Sequence, residues 1–238
     1  MPFLEHLEEL RGALLASAFA VVLTSSAAWF VSGPVLEFLI RPVEGGLIFL
    51  SPTEAFTTRV KVAFVLGILL ALPYVLHRAW RFVLPALYRR EANALRMLVF
   101  GSTTLFLLGL ALAYVGVVPV AIRFLLGFGT HSLRPMLTAG QYFGFVSKVC
   151  LGFGIVFQLP LVLSVLAWFG MVSSQGLLRK WRLGILIIVI VAAILTPPDV
   201  ASQLLMAIPV VGLYFLSIVL VRRIEGRRSR GSSLVVFF

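Results

Sequence analysis

Long apolar stretches separated by short polar breaks constrain this chain more than any other feature of its sequence. Six follow one another, at about residues 14–32, 60–77, 97–118, 142–169, 183–195 and 204–221. A helix that crosses a bilayer needs about 20 apolar residues and satisfies its own backbone hydrogen bonds. The pattern predicts an all-α integral membrane protein with six transmembrane helices, the fifth and sixth short. For these two, a single re-entrant pair is the alternative, which the basic residues from Arg222 onward weakly disfavour.

The composition supports this class and limits the partners. Of the 238 residues, 61% are hydrophobic and 12% are charged, whereas a soluble domain carries about a quarter charged residues. The net charge of +11 would suit nucleic acid, but the basic residues cluster at the ends of the apolar stretches. We therefore expect no nucleic-acid partner, a single membrane domain over residues 1–222, and a basic, disordered tail over residues 223–238.

The basic residues also predict the orientation. If both termini lie on one side of the membrane, that side holds 14 Lys and Arg residues and the other holds 6. Cytoplasmic loops are enriched in Lys and Arg, so both termini are expected in the cytoplasm. The most basic break, residues 78–96, contains five arginines and one carboxylate, Glu91.

Local signals predict where the first helices begin and end. Residues 1–12 form an amphipathic segment that is too short to span, so we expect it at the membrane interface. Gly33 and Pro34 are expected to end the first span, and Pro119 is expected to end the third. Ser51 and Glu54 have the spacing of a capping box, which predicts a helix start at this point.

Signatures of enzymes are absent from the sequence, including those of metalloproteases, serine hydrolases and nucleotide-binding sites. His6, His77 and His131 fall on different segments on two sides of the membrane, so they cannot meet at one metal ion. The only aspartate, Asp199, lies in a predicted external loop, and the only cysteine, Cys150, cannot form an internal disulfide. We therefore expect no enzyme activity, no metal and no cofactor.

Polar groups within the apolar stretches are candidates for function. Gln158 lies near the middle of the fourth stretch, two residues before Pro160, which is expected to bend the helix. The amide could satisfy the carbonyl groups that this bend frees, or it could dock a polar group of a partner helix. From the residues alone, the two interpretations are about equally supported.

Acidic side chains on the basic, cytoplasmic side form a second group of candidates. Glu8, Glu9 and Glu91 could each pair with a neighbouring arginine, an interaction of little energetic value at a surface. Alternatively, they could receive an incoming guanidinium in a two-pronged, charge-assisted geometry that lysine cannot copy. The residues alone favour pairing with neighbours.

Five short motifs occur in order along the chain. They are His6–Arg11 (HLEELR), Ser51–Phe56 (SPTEAF), Trp80–Glu91 (WxFxxPxLYxxE), Phe157–Pro160 (FQLP) and Thr196–Val200 (TPPDV). In this order and spacing they resemble the motifs of the TatC family, the polytopic receptor subunit of the twin-arginine protein translocase. The resemblance covers essentially the whole chain to about residue 222.

The resemblance implies that Glu9 and Glu91 contact the paired arginines of a signal peptide, with Phe82 lining the site. The full set of candidates for signal-peptide binding is His6, Glu8, Glu9, Arg11, Trp80, Phe82, Pro85, Leu87, Tyr88 and Glu91. The candidates for docking a partner helix are Phe157, Gln158 and Pro160. The candidates for structural roles in the periplasmic loops are Pro52, Glu54, Phe56, Pro197, Pro198 and Asp199.

The resemblance further implies a membrane scaffold without enzyme activity. Its partners would be single-span subunits of the TatA and TatB types, further copies of itself, and the signal peptides of folded cargo proteins. Transport would be driven by the proton-motive force across a bacterial or archaeal cytoplasmic (inner) membrane, or across a thylakoid membrane. The alternative is a small-solute secondary transporter, which would require a charged site at the membrane midplane and usually paired broken helices.

One position departs from the pattern of the family. Many members carry glutamate where this chain has Gln158. Glutamine keeps the capacity for hydrogen bonds but carries neither a charge nor a titratable proton. A docking role at this position is compatible with glutamine, whereas a proton-linked role is not.

Overall fold

The computed structural model describes residues 3–40, 46–83, 92–127, 137–196 and 199–233. Side chains are described within these ranges except at residues 3–6, 92–94, 201 and 227–233. The described residues form helices joined by turns, and the backbone makes one isolated parallel bridge among them, between Ile48 and Thr138.

The helices follow the apolar stretches of the sequence. In chain order they are α1 (Phe3–Ala28), α2 (Ser32–Ile40), α3 (Pro52–Val83), α4 (Ala92–Leu112), α5 (Val118–Leu126), α6 (Ala139–Val156), α7 (Leu159–Trp168), α8 (Ser174–Arg179), α9 (Trp181–Leu195) and α10 (Val200–Ser233). In the described chain, five stretches are long and apolar enough to cross a membrane: Leu7–Ile40, Pro52–Val83, Leu95–Leu126, Ala139–Trp168 and Ser202–Gly226. The apolar helix α9 is shorter, as predicted for the fifth stretch.

The beginning of the chain differs from the sequence-based expectation. The amphipathic segment is not a separate element, because α1 runs unbroken from Phe3 to Ala28. Gly12 is the main weak point within it, and a helical glycine costs only about 1 kcal/mol relative to alanine. Pro34 does not stop the chain either, because it falls in the first turn of α2, where its missing N–H group is not needed.

The third and sixth helical stretches are longer than predicted. A π turn at Ala113–Val117 joins α4 to α5, and Pro119 then falls in the first turn of α5 instead of ending the helix. The last helix, α10, has 34 residues and contains Pro209. It continues to Ser233, and no proline interrupts it after Pro209.

The chain divides into two compact units, and the first contains residues 1–104 and 129–147. In this unit α1 and α2 pack against α3. Its buried core includes Phe143 and Leu95. The hydroxyl of Tyr142 donates a hydrogen bond of 3.0 Å to the carbonyl of Leu39, which ties α6 to the end of α2.

The second unit contains residues 105–128 and 148–238. Its centre is α10, which packs against α5, α7, α8 and α9. Phe153, Met206 and Val221 are fully buried there. The fourth apolar stretch is broken at Phe157 and Gln158, between α6 and α7, so the bend predicted from Pro160 is confirmed.

Candidate functional site

The packing of α1 on α3 places the amino-terminal motif beside the end of α3. The hydroxyl of Thr24 donates a hydrogen bond of 2.8 Å to the carbonyl of Gly67, so the two helices touch at this level. Fifteen residues before Thr24 lies Glu9, and fifteen residues after Gly67 lies Phe82. Because the helices run in opposite directions, these two residues lie at the same level, one on each helix.

A small open pocket of about 70 Å³ lies at this level of the helix pair. It is lined by Glu9, Ala13, Arg78, Arg81 and Phe82. The pocket has room for the tip of one side chain, and it combines one carboxylate, one aromatic ring and two guanidinium groups.

The carboxylate of Glu9 is the acidic group of this pocket. Glu9 is exposed, and it makes no hydrogen bond or ion pair with any residue that the structure describes. Glu8 and Arg11 are also exposed, but neither lines the pocket, and the side chain of His6 lies outside the described residues. Among the described side chains of the amino-terminal motif, Glu9 is therefore the one that shares this pocket with Phe82.

The side chain of Trp80 is buried in the first unit and connects two of its helices. Its side chain is 7% exposed, and the indole N–H donates a hydrogen bond of 3.1 Å to the hydroxyl of Ser102. This bond joins α3, three residues before its end, to the middle of α4. The remaining candidates of the motif, Pro85, Leu87, Tyr88 and Glu91, lie outside the described residues.

Three pocket residues were not among the sequence-based candidates: Ala13, Arg78 and Arg81. The signal that could have found them is helical spacing, because residues three or four apart share one face of a helix. Ala13 follows Glu9 by four residues, and Arg78 precedes Phe82 by four. The partner of Trp80, Ser102, had no signal in the sequence.

The periplasmic candidates include a carboxylate that joins two segments. The backbone N–H of Glu54 donates to the Ser51 hydroxyl over 3.2 Å, as the capping box predicted. The carboxylate of Glu54 does not accept the backbone N–H of Ser51, as the second bond of a capping box would require. Its Oε2 accepts from the N–H of Leu50 and its Oε1 from the N–H of Gly140, each over 2.8 Å. Pro52 is the first residue of α3.

Aromatic contacts support the same region of the first unit. The ring of Phe56 packs edge-on against Trp29, with 5.9 Å between ring centroids. The Arg59 guanidinium lies 4.8 Å from the centroid of Trp29 and donates to the Ser32 hydroxyl over 3.1 Å.

Gln158 lies in the break between α6 and α7 and is half-buried. Its backbone N–H bonds to the carbonyl of Ile155 instead of that of Gly154, and its side-chain amide donates to Gly154 over 3.4 Å. This geometry agrees with the interpretation in which the amide satisfies a carbonyl freed by the bend. Of the other two docking candidates, Pro160 is buried, and the Phe157 ring lies 6.1 Å from that of Phe153.

Two further carboxylates of the second unit cap helices. The Asp199 carboxylate accepts the N–H of Ser202 over 2.7 Å at the start of α10, while Pro197 and Pro198 lie outside the described residues. Glu225 was not a candidate. The Glu225 carboxylate accepts hydrogen bonds from the Ser174 N–H over 3.0 Å and from the Ser174 hydroxyl over 2.5 Å. These bonds tie α10 to the start of α8.

Metal-binding chemistry has no basis in the described part of the chain. No group of three or more His, Cys, Asp or Glu side chains among the described residues could hold a metal ion. The Glu9 carboxylate is the group of this pocket that can accept charge-assisted hydrogen bonds.

Comparisons with known proteins indicate one family. Residues 5–209 match the family model described as "Sec-independent protein translocase protein (TatC)". The chain is 38% identical over 235 residues to the protein of that name from Carboxydothermus hydrogenoformans, covering 97% of each chain. It is 40% identical over 227 residues to that of Aquifex aeolicus, covering 92% of this chain and 94% of the relative.

A solved structure is also similar. It is described as "Crystal Structure of Twin Arginine Translocase Receptor- TatC", and it matches with a TM-score of 0.83 and 39% identity. The match covers 92% of this chain and 99% of that one. The predicted fold class, an all-α membrane protein with six spans, is thereby confirmed.

Proposed function

Because the chain belongs to the TatC family of Sec-independent protein translocase proteins, we propose that it recognises twin-arginine signal peptides at its cytoplasmic face and scaffolds the export of folded proteins. The family is a non-catalytic family of multi-pass membrane proteins. The comparisons give no support to the alternative of a small-solute transporter.

The observation that carries the proposal is the pocket beside Glu9. A carboxylate at the membrane surface can bind a guanidinium by two charge-assisted hydrogen bonds. Glu9 has no such partner among the described residues, and the ring of Phe82 lies in the same pocket. An aromatic ring adds a favourable surface for a cation. Glu9 therefore takes one arginine of the signal peptide.

The second arginine is assigned to Glu91. This residue precedes α4 by one position in the sequence, and Trp80 holds α4 to α3 through Ser102. The contribution of Trp80 is thus to position the two helices that flank the connecting segment. His6, Glu8, Arg11, Pro85, Leu87 and Tyr88 complete the proposed neighbourhood of the signal peptide.

Partner docking and energy coupling are further parts of the proposal. The family acts within the Tat translocase, and the finer assignment is to single-span subunits of the TatA and TatB types and to further copies of this chain. A partner helix docks at Phe157, Gln158 and Pro160. The proton-motive force drives transport across the cytoplasmic (inner) membrane, with both termini of the chain in the cytoplasm.

Charge reversal at the two carboxylates tests the proposal. Glu9→Lys and Glu91→Lys replace an attractive charge by a repulsive one, so each is expected to weaken binding of a twin-arginine peptide by more than about tenfold. Binding is measured with a fluorescent peptide and the purified full chain in lipid nanodiscs. Glu37→Lys, at an exposed position of α2, is the matched control. Unchanged binding by both variants, with normal membrane insertion, would refute the assignment.

A further inference from the structure

Arg78 is held by a residue of its own helix. Its Nε donates a hydrogen bond of 3.0 Å to the hydroxyl of Tyr74, one turn earlier in α3. Its guanidinium carbon lies 5.3 Å from the centroid of the Tyr74 ring. The arginine head group is therefore bound twice by the same side chain, once through a hydrogen bond and once over the ring face.

Tyr74 lies farther along α3 from Glu9 than Arg78 does. By the helix register, Glu9 lies level with Phe82, and Arg78 lies one turn deeper, level with Ala13. Tyr74 is one turn deeper again. A hydrogen bond to Tyr74 therefore draws the guanidinium along α3 away from the level of Glu9.

Without this contact, the Arg78 side chain could extend toward Glu9. A long basic side chain near a membrane surface extends its charged head toward water, which here means toward the level of Glu9. Arg78 and Glu9 line the same pocket, so a salt bridge between them is within reach of the arginine side chain. Such an internal guanidinium would compete with any guanidinium arriving from outside, because its effective concentration is high.

We propose that Tyr74 is a positioning residue that holds the Arg78 guanidinium off Glu9 and so leaves the Glu9 carboxylate available to an arginine of the signal peptide. This inference rests on the proposed function. It also accounts for the missing ion pair between Glu9 and Arg78, although both residues line the same pocket.

The test compares variants of both residues in the full-length chain in lipid nanodiscs. The probes are two fluorescent peptides that carry an apolar segment behind either an Arg-Arg or a Lys-Lys pair. Tyr74→Leu releases Arg78 and is expected to weaken Arg-Arg peptide binding about two- to fivefold, the range of a partly exposed ion pair. Tyr74→Phe removes only the hydroxyl and should have a smaller effect in the same direction.

Rescue by Arg78→Gln separates positioning from a general structural effect. Arg78→Gln alone should bind the Arg-Arg peptide at least as well as the unmodified chain, because the Arg78 guanidinium no longer competes for Glu9. Adding Tyr74→Leu to Arg78→Gln should then cause no further loss. Phe64→Leu removes an exposed aromatic ring elsewhere on α3 and should leave binding unchanged.

The outcomes distinguish this inference from the proposed function. If the unmodified chain binds the Arg-Arg and Lys-Lys peptides equally, the proposed function fails. If it prefers Arg-Arg but Tyr74→Leu and Tyr74→Phe bind as the unmodified chain does, Tyr74 has no positioning role. A loss from Tyr74→Leu that persists in the Arg78→Gln background would overturn the inference as well, because the loss would not depend on Arg78.

Discussion

Gln158 contributes to the bend between α6 and α7, and the docking of a partner helix is its proposed second role. Its amide reaches the carbonyl of Gly154, which the bend between α6 and α7 deprives of its usual backbone donor. An amide group has four hydrogen-bonding positions, and the Oε1 atom of Gln158 is buried. We propose that the residue supports the bend and also docks a polar group of a partner helix.

Gln158→Leu tests the docking role. Leucine keeps the volume but cannot form a hydrogen bond between helices, which contributes about 0.6–2 kcal/mol in membranes. We expect recovery of a single-span partner by copurification to fall about threefold or more. Gln158→Glu should retain the partner, because a carboxyl group still accepts or donates hydrogen bonds.

The control for this prediction is Gln175→Leu, which removes an exposed amide from α8. Full copurification with Gln158→Leu would restrict Gln158 to its role in the bend.

Glu54 shows how much can be predicted at the scale of a residue. Its capping contact with Ser51 was predictable, because the two residues are three positions apart and the motif is local. Its bond to Gly140 was not, because 86 positions separate the two residues. The same limit applies to Trp80, which the motif placed among the candidates for signal-peptide binding and whose partner, Ser102, lies on the next helix.

At the scale of elements, the close approach of α1 and α3 determines where Glu9 lies. Gly67 is buried against Ser25, and a Cβ atom at Gly67 would lie 2.5 Å from the Ser25 Cα atom. This contact is with backbone, so a rotation of a side chain cannot relieve it. The absence of a side chain at Gly67 is therefore a condition for the register that brings Glu9 to Phe82.

Gly67→Ala is expected to force the two helices apart. Overpacking of this kind costs about 1–3 kcal/mol, so the variant should unfold at a lower temperature in detergent and bind the Arg-Arg peptide more weakly. Gly144→Ala is the control, because a Cβ atom at Gly144 would meet no atom within 4 Å. Equal thermal stability of Gly67→Ala and the unmodified chain would contradict the packing account.

The ends of the elements were harder to predict than their existence. Pro34 and Pro119 were expected to stop helices, yet both fall in first turns, where proline is tolerated. Whether a proline ends a helix depends on its place in the turn, which apolar patterning does not define. The bond between Glu225 and Ser174 joins residues 51 positions apart, and no local pattern could indicate it.

At the scale of the whole molecule, the apolar stretches were sufficient to predict the fold class. Spanning helices depend on length and hydrophobicity, which are properties of the sequence alone. The assembly of the candidate site was not predictable in this way, because Glu9 and Phe82 lie on different helices and meet only through packing. The resemblance of the ordered motifs to the TatC family connected Glu9 with Phe82, whereas the pattern of apolar residues did not.

The most direct test of the receptor function is photocrosslinking in native membranes. A photoreactive phenylalanine analogue replaces Phe82 in the pocket, and a second variant carries it at the exposed Phe64 of the same helix. We predict that position 82 captures a precursor with an intact arginine pair, that it fails to capture a Lys-Lys precursor, and that position 64 captures neither. Equal capture of both precursors at position 82, or capture of neither, would contradict the account.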